Sequence, residues 1–97
     1  MTPACEALRS AVLALSAHGA LDARLESAHR LLESIDPERD LPESLRFRFQ
    51  ELEADISYGA DTVAEAVSLM SAGDQERLAA RIVGMFVEVM KGGDQGE

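Results

Sequence analysis

The segment from Leu78 to Met90 constrains the fold more than any other stretch of this chain. At about 100° per residue, Leu78, Ile82, Met85 and Val89 share one narrow helical stripe. Ala79, Val83, Phe86, Val87 and Met90 widen that stripe to roughly 200°, whereas an outer helix of a small bundle needs only roughly 100°. Arg81, Gly84, Glu88 and Lys91 fill the remaining arc. A helix so apolar is either the central element of its domain or the contact surface for another chain.

The rest of the sequence supplies shorter helices to pack against it. Thr2 and Pro3 suit the N-cap and first position of a helix, Glu6 complements its dipole, and Leu8, Val12 and Leu15 recur at helical spacing. His18-Gly19 supplies the stop. A second helix carries Leu21, Leu25, Ala28, Leu32 and Ile35 on one face, and Asp36-Pro37 ends it. A polar connection to Asp40 leads to a third helix with Pro42 in its first turn and Leu45, Phe49, Leu52 and Ile56 facing the core. Tyr58-Gly59-Ala60 breaks that helix. Thr62 and Glu65 match a capping box for a short fourth helix with Val63, Val67 and Met70 on its apolar side, and Ser71 with Asp74 opens the fifth. Lys91 then places a cation at the negative end of that helix before Gly92-Gly93 closes it.

These signals predict an all-α fold, a small antiparallel bundle of four to five helices with the C-terminal helix central or at an interface. Residues 1–91 are expected to form one domain and residues 92–97 a disordered tail. Aromatic side chains are scarce, as suits Leu- and Ala-based helix packing. The Ala/Leu/Glu/Arg habit is one shared by many helical proteins of GC-rich bacterial genomes.

Charge narrows the choice of partner. With 18 acidic and 9 basic residues the chain carries a net charge of −9, which repels phosphate backbones and anionic membranes. Direct nucleic-acid binding is therefore disfavoured. No stretch approaches the ~20 apolar residues that span a bilayer. Ala11 to Ala17 is weakly signal-like, but Glu6 precedes it and Arg9 is the sole upstream cation, so a cytoplasmic location is expected. The single cysteine, Cys5, cannot form an internal disulfide.

The sequence offers little for chemistry. Glu26-x-x-His29 has the spacing used in carboxylate-bridged di-iron bundles, but it occurs once where two copies are needed. It reads instead as a boundary histidine beside a solvated glutamate. Cys5 lies in a helical first turn, which lowers a thiol pKa, but no base or orienting group accompanies it in sequence. No phosphate-binding glycine pattern and no nucleophile-elbow context appears. The expectation is a chain without catalytic residues, metal or cofactor.

Two surface features remain. Arg46-Phe47-Arg48 turns a phenylalanine away from the Leu45/Phe49 stripe, and Phe47, Ala54 and Tyr58 line a secondary strip. That strip either packs within the domain or anchors an interface, where aromatic and arginine side chains are favoured. Ala80, Val83, Gly84, Val87 and Met90 form the flank of the last helix available to another chain. Glu51, Glu53, Asp55, Asp61 and Glu65 follow one another with no intervening Lys or Arg, and Glu33 to Glu43 holds five acids against one arginine. Either run is a solvated helix face or a surface for a basic groove.

The leading expectation is an acidic, non-catalytic protein–protein interaction module that self-associates, as a homodimer, through apolar helix surfaces. The alternatives are a nucleic-acid-mimicking inhibitor or regulator that occupies a basic site on a nucleic-acid-processing protein, and a chaperone-like binder of a client protein.

Overall fold

A computed structural model describes residues 3–95, and Thr2, the expected first N-cap, lies outside them. Six helices follow one another among the described residues: α1 (Pro3–Leu15), α2 (Leu21–Leu32), α3 (Pro37–Asp40), α4 (Glu43–Ile56), α5 (Val63–Leu69) and α6 (Ala72–Gln95). The all-α fold follows from the apolar periodicities. Every residue of the Leu78/Ile82/Met85/Val89 stripe is buried, as are Leu25, Ala28, Leu32 and Ile35 and the α4 face Leu45, Phe49, Leu52 and Ile56.

The chain ends of these helices are satisfied by particular side chains. After Leu15 the backbone turns through Gly19, whose φ of 116° lies in the left-handed region that favours glycine. Arg24 then reaches back from α2, donating from Nη1 to the Leu15 carbonyl at 2.6 Å and from Nε to that of Gly19 at 3.1 Å. The last carbonyl of α1 and that of the connecting Gly19 are thereby capped from the next helix. Gly59, at φ 81°, performs the same reversal after α4.

At α5 the N-cap half of the expected capping box forms, while its return bond reaches the residue before the cap. Thr62 Oγ1 accepts from the Glu65 amide at 3.1 Å, and Glu65 Oε1 accepts in return from the amide of Asp61 at 3.3 Å. Thr62→Ala is expected to cost about 1 kcal/mol. For a domain of this size that lowers Tm by about 4–8 °C, readable by thermal circular dichroism. Ser71 Oγ likewise accepts from the Asp74 amide at 3.1 Å and opens α6.

Two local expectations are corrected. The connection from Asp36 to Asp40 is polar but not irregular, since it holds the single turn α3. Asp36 accepts from the Glu38 amide at 3.1 Å, Asp40 Oδ2 accepts from the Asp36 amide at 2.9 Å, and Pro37 occupies the first position. Arg39 beside Asp40 holds that carboxyl below the usual carboxylate range. Arg46 of α4 donates to the carbonyls of Pro37 and Leu41, fixing the turn to the next helix. The second correction is at Gly92-Gly93, where the backbone helix does not stop but runs on to Gln95. Glycine lowers helix stability by about 1 kcal/mol relative to alanine without forbidding the conformation. It terminates a helix when it turns left-handed, as at Gly19 and Gly59.

Helices α2, α4 and α6 each pack against three others, α4 against α3, α5 and α6. Helix α2 touches α1, α5 and α6, and helix α6 touches α1, α2 and α4. The wide apolar arc of α6 is thus divided. Its centre is buried, Ala79 and Phe86 are half-buried, and Val83, Val87 and Met90 stay exposed along one flank. Helix α5 leaves α4 and lies back against α2, so the order in space is not a simple up-and-down succession. No described helix is long and apolar enough to cross a membrane.

Candidate functional site

The return of α5 to α2 leaves a groove where the end of α4, the second half of α5 and the first half of α6 meet. It encloses about 460 Å³. Ala66, Met70 and Leu78 supply apolar lining, Tyr58 and Leu69 stand at its sides, and Arg77 and Arg81 line it from α6. Tyr58 is 84% exposed and Leu69 75% exposed, the two most exposed large apolar side chains among the described residues. Each stands at or just past the end of a helix, beside a break: Tyr58 lies in the turn after α4, before Gly59, and Leu69 ends α5 before the extended Met70.

Electrostatics keep the groove nearly neutral on an acidic protein. Arg81 Nη1 donates to Asp55 Oδ2 at 3.0 Å, and Arg77 Nη1 donates to Asp74 Oδ1 at 2.5 Å. Both pairs are solvent-exposed and contribute little to stability. Their value is local, because they cancel charge beside an apolar lining. Beside this groove a smaller pocket of about 100 Å³ lies between Arg48, Glu51, Arg81 and Met85.

The sequence-predicted interface residues are not brought together at one place. Tyr58 lines the groove, while Phe47 stands 66% exposed three turns earlier on α4, and Ala54 between them is exposed too. The secondary strip of α4 is therefore solvent-facing and does not pack within the chain. On α6, Ala80 is exposed beside Val83 and Val87, and Gly84 is half-buried. An added Cβ at Gly84 would lie 3.5 Å from Arg48 Nη2, an ordinary van der Waals contact, so Gly84 faces a side chain of α4 without being required by it. Met90 turns its sulfur toward α1, where Cys5 Sγ lies 3.4 Å from Met90 Sδ. Cys5 itself is buried.

The acidic residues are also dispersed. Asp55 pairs with Arg81, Glu65 caps α5, and Glu51 shares its pocket with Arg48 and Arg81. Asp61 is exposed beside the α5 cap, and Glu53 belongs to a different site altogether. The uninterrupted run of acids in sequence is interrupted in space by arginines from α4 and α6.

His29 departs from its sequence reading. It is 7% exposed, not a boundary residue, and its Nε2 donates to Glu53 Oε1 at 3.2 Å across to α4. Glu53 Oε2 lies equally close, at 3.2 Å. Glu33 Oε2 stands 3.9 Å from Nδ1 on the other side. The hydrogen bond to Glu53 is the main cause that raises the His29 pKa above its ordinary value, against a burial effect that lowers it. Glu26 takes no part, since its Oε2 accepts from Arg30 Nη2 at 3.1 Å. The two residues of the Glu-x-x-His spacing thus serve different partners. Among the described residues no three His, Cys, Asp or Glu side chains are grouped to hold a metal ion.

No model of a known protein family matches the chain, and no curated protein or solved structure does. The case for function therefore rests on the surface. Leu69 has no role in the sequence reading, and Met70 has one only as part of the core side of α5, with Val63 and Val67. Only the placement of α5 relative to α4 and α6 makes Leu69 a groove wall.

Proposed function

We propose that this chain is a non-catalytic protein-interaction module that seats a short amphipathic segment of a partner protein in the α4–α5–α6 groove. The observation that carries the reading is the pairing of Tyr58 and Leu69, both largely exposed, beside an apolar lining of Ala66, Met70 and Leu78. Tyrosine is a favoured anchor because it buries a rigid apolar ring and keeps a polar tip. Methionine adapts its shape to the side chain it receives. Burying one large apolar side chain is worth roughly 1.5–3 kcal/mol, so two or three anchors suffice for a specific, reversible complex. Helix-in-groove recognition has this physical form. A cytoplasmic setting suits the acidic composition and the single thiol.

The test is to select binders from a displayed library of random helical peptides and to map them by amide chemical shifts. Peptides that compete with one another and perturb Tyr58, Leu69 and Met70 support the reading. Peptides that scatter over the surface, or collect elsewhere, overturn it.

A second reading, self-association, is favoured by the flank of α6, where Val87 is 43% exposed beside Val83 and Met90. On this reading the native mass by light scattering is that of a dimer. Val87→Asp then shifts the mass to the monomer, while Glu88→Gln leaves it unchanged. A Val87→Asp protein with unaltered association removes that flank from consideration. The nucleic-acid-mimicking alternative draws less support, because Arg48, Arg77, Arg81 and His29 stand among the acids it would use.

A further inference from the structure

Helix α4 and the turn after it form one wall of the groove through Asp55 and Tyr58, and two polar links hold that end of the helix. Asp55 is tied to α6 by Arg81, in an exposed pair. Two residues earlier, Glu53 is tied to α2 by His29, in a pair whose imidazole is buried and whose carboxylate side chain is 35% exposed. Helices α2 and α4 share few other close approaches, α2 packing chiefly on α1, α5 and α6. The His29–Glu53 pair is therefore the principal polar bridge between them. Among the described residues, Glu53 Oε2 is buried without a hydrogen bond, so the carboxylate depends on the imidazole facing it.

We propose that His29 and Glu53 form a proton-operated latch that fixes the α4 wall of the groove when His29 is protonated and loosens it when His29 is neutral. The regulatory meaning rests on the groove being the binding site, although the latch itself does not. As an imidazolium, His29 donates from Nε2 to Glu53 and holds a second positive N–H toward Glu33. As a neutral ring it keeps one donor and loses the charge attraction to both glutamates. The charges that act on it are Glu53 from α4 and Glu33 at the C-cap of α2, and among the described residues α1, α5 and α6 add none. The direction of the pKa shift agrees. A histidine whose folded pKa is raised contributes stability fully below its unfolded value of about 6.5, and loses that contribution as pH rises through the folded value. The apolar residues Leu45, Phe49, Leu52 and Ile56 keep α4 attached throughout, so the latch changes local opening and not the fold.

Amide hydrogen exchange, corrected for its intrinsic pH dependence, tests this in the absence of any partner. Protection of α4 amides is expected to fall from about pH 6 to about pH 9 relative to those of α1. His29→Gln, which retains a donor but does not titrate, is expected to abolish that relative fall. The His29 imidazole resonances of the unaltered protein should titrate over the same window. An α4 protection that does not change relative to α1, or that falls equally in His29→Gln, overturns the latch. Because no ligand enters the experiment, its failure leaves peptide binding in the groove untouched, and failure of peptide binding leaves the latch standing.

Discussion

Leu69→Gln is expected to weaken binding of groove-selected peptides by about 30-fold while leaving the stability of the fold within about 0.5 kcal/mol. The two halves of that expectation have separate causes. Leu69 is 75% exposed at the last position of α5, so its side chain stabilises little of the unbound chain. Glutamine keeps its length and is tolerated in a helix, and it adds no charge at the C-terminal end of the dipole. In the complex the same side chain becomes desolvated against the partner, and losing a well-packed anchor costs about 2 kcal/mol or more. Tyr58→Ala should act in the same direction, since Tyr58 lines the same groove. Leu31→Gln, a comparable change at an exposed leucine on α2 outside the groove, should leave the affinity unaltered. Isothermal titration with one selected peptide measures all three. Equal losses from Leu31→Gln and Leu69→Gln would mean that the peptide adheres to apolar surface without preference.

Leu25→Ala is the substitution with the largest effect on folding. Leu25 is fully buried on α2, the helix that touches α1, α5 and α6. Removing a buried leucine side chain to alanine costs about 2–5 kcal/mol, the upper part of that range where neighbours cannot close the space. The whole domain is expected to be stable by about 5–15 kcal/mol, so this one change removes a large share. Urea denaturation should show a lower midpoint with an unchanged slope, since the surface exposed on unfolding is the same. A loss under about 1 kcal/mol would show that α2 is not where the core is held together.

How far the sequence reaches can be seen residue by residue. The α6 stripe and the α4 face Leu45, Phe49, Leu52 and Ile56 are legible because a 3.6-residue period survives over several turns, and all of these residues are buried. The N-cap at Thr62 is legible because its hydrogen bond to the Glu65 amide is local. Helix α3 was missed because one turn has no period, although Asp36-Pro37 followed by Asp40 carries the N-terminal signals of a helix. The reading of Gly92-Gly93 as a stop gave weight to composition where conformation decides.

The candidate site is less legible for a physical reason. His29 and Glu53 are 24 residues apart, and nothing local in either helix announces that they meet. On the α2 wheel His29 sits at the edge of the apolar stripe, which fits a boundary position as well as a buried one. Which of these it takes depends on where α4 lies. The groove has the same origin. Tyr58 is visible as an aromatic off the core stripe, but its sharing of one groove with Leu69 depends on α5 folding back onto α2. Local patterns encode the helices and the faces they bury, whereas surfaces built from three helices depend on how those faces are apportioned.

The most direct measurement places a photo-reactive benzophenone side chain at position 58, in cells that naturally make the chain, and identifies the adducts by mass spectrometry. The bulky aromatic substitute preserves the anchor, and the same group at the exposed Glu6 of α1 reports background. A groove that seats a protein segment predicts one dominant adduct from position 58, absent from position 6 and diminished by Leu69→Gln. An adduct with a second copy of the chain would name the partner as itself. Equal, diffuse labelling from both positions, indifferent to Leu69→Gln, would contradict the proposal that the groove is a docking site.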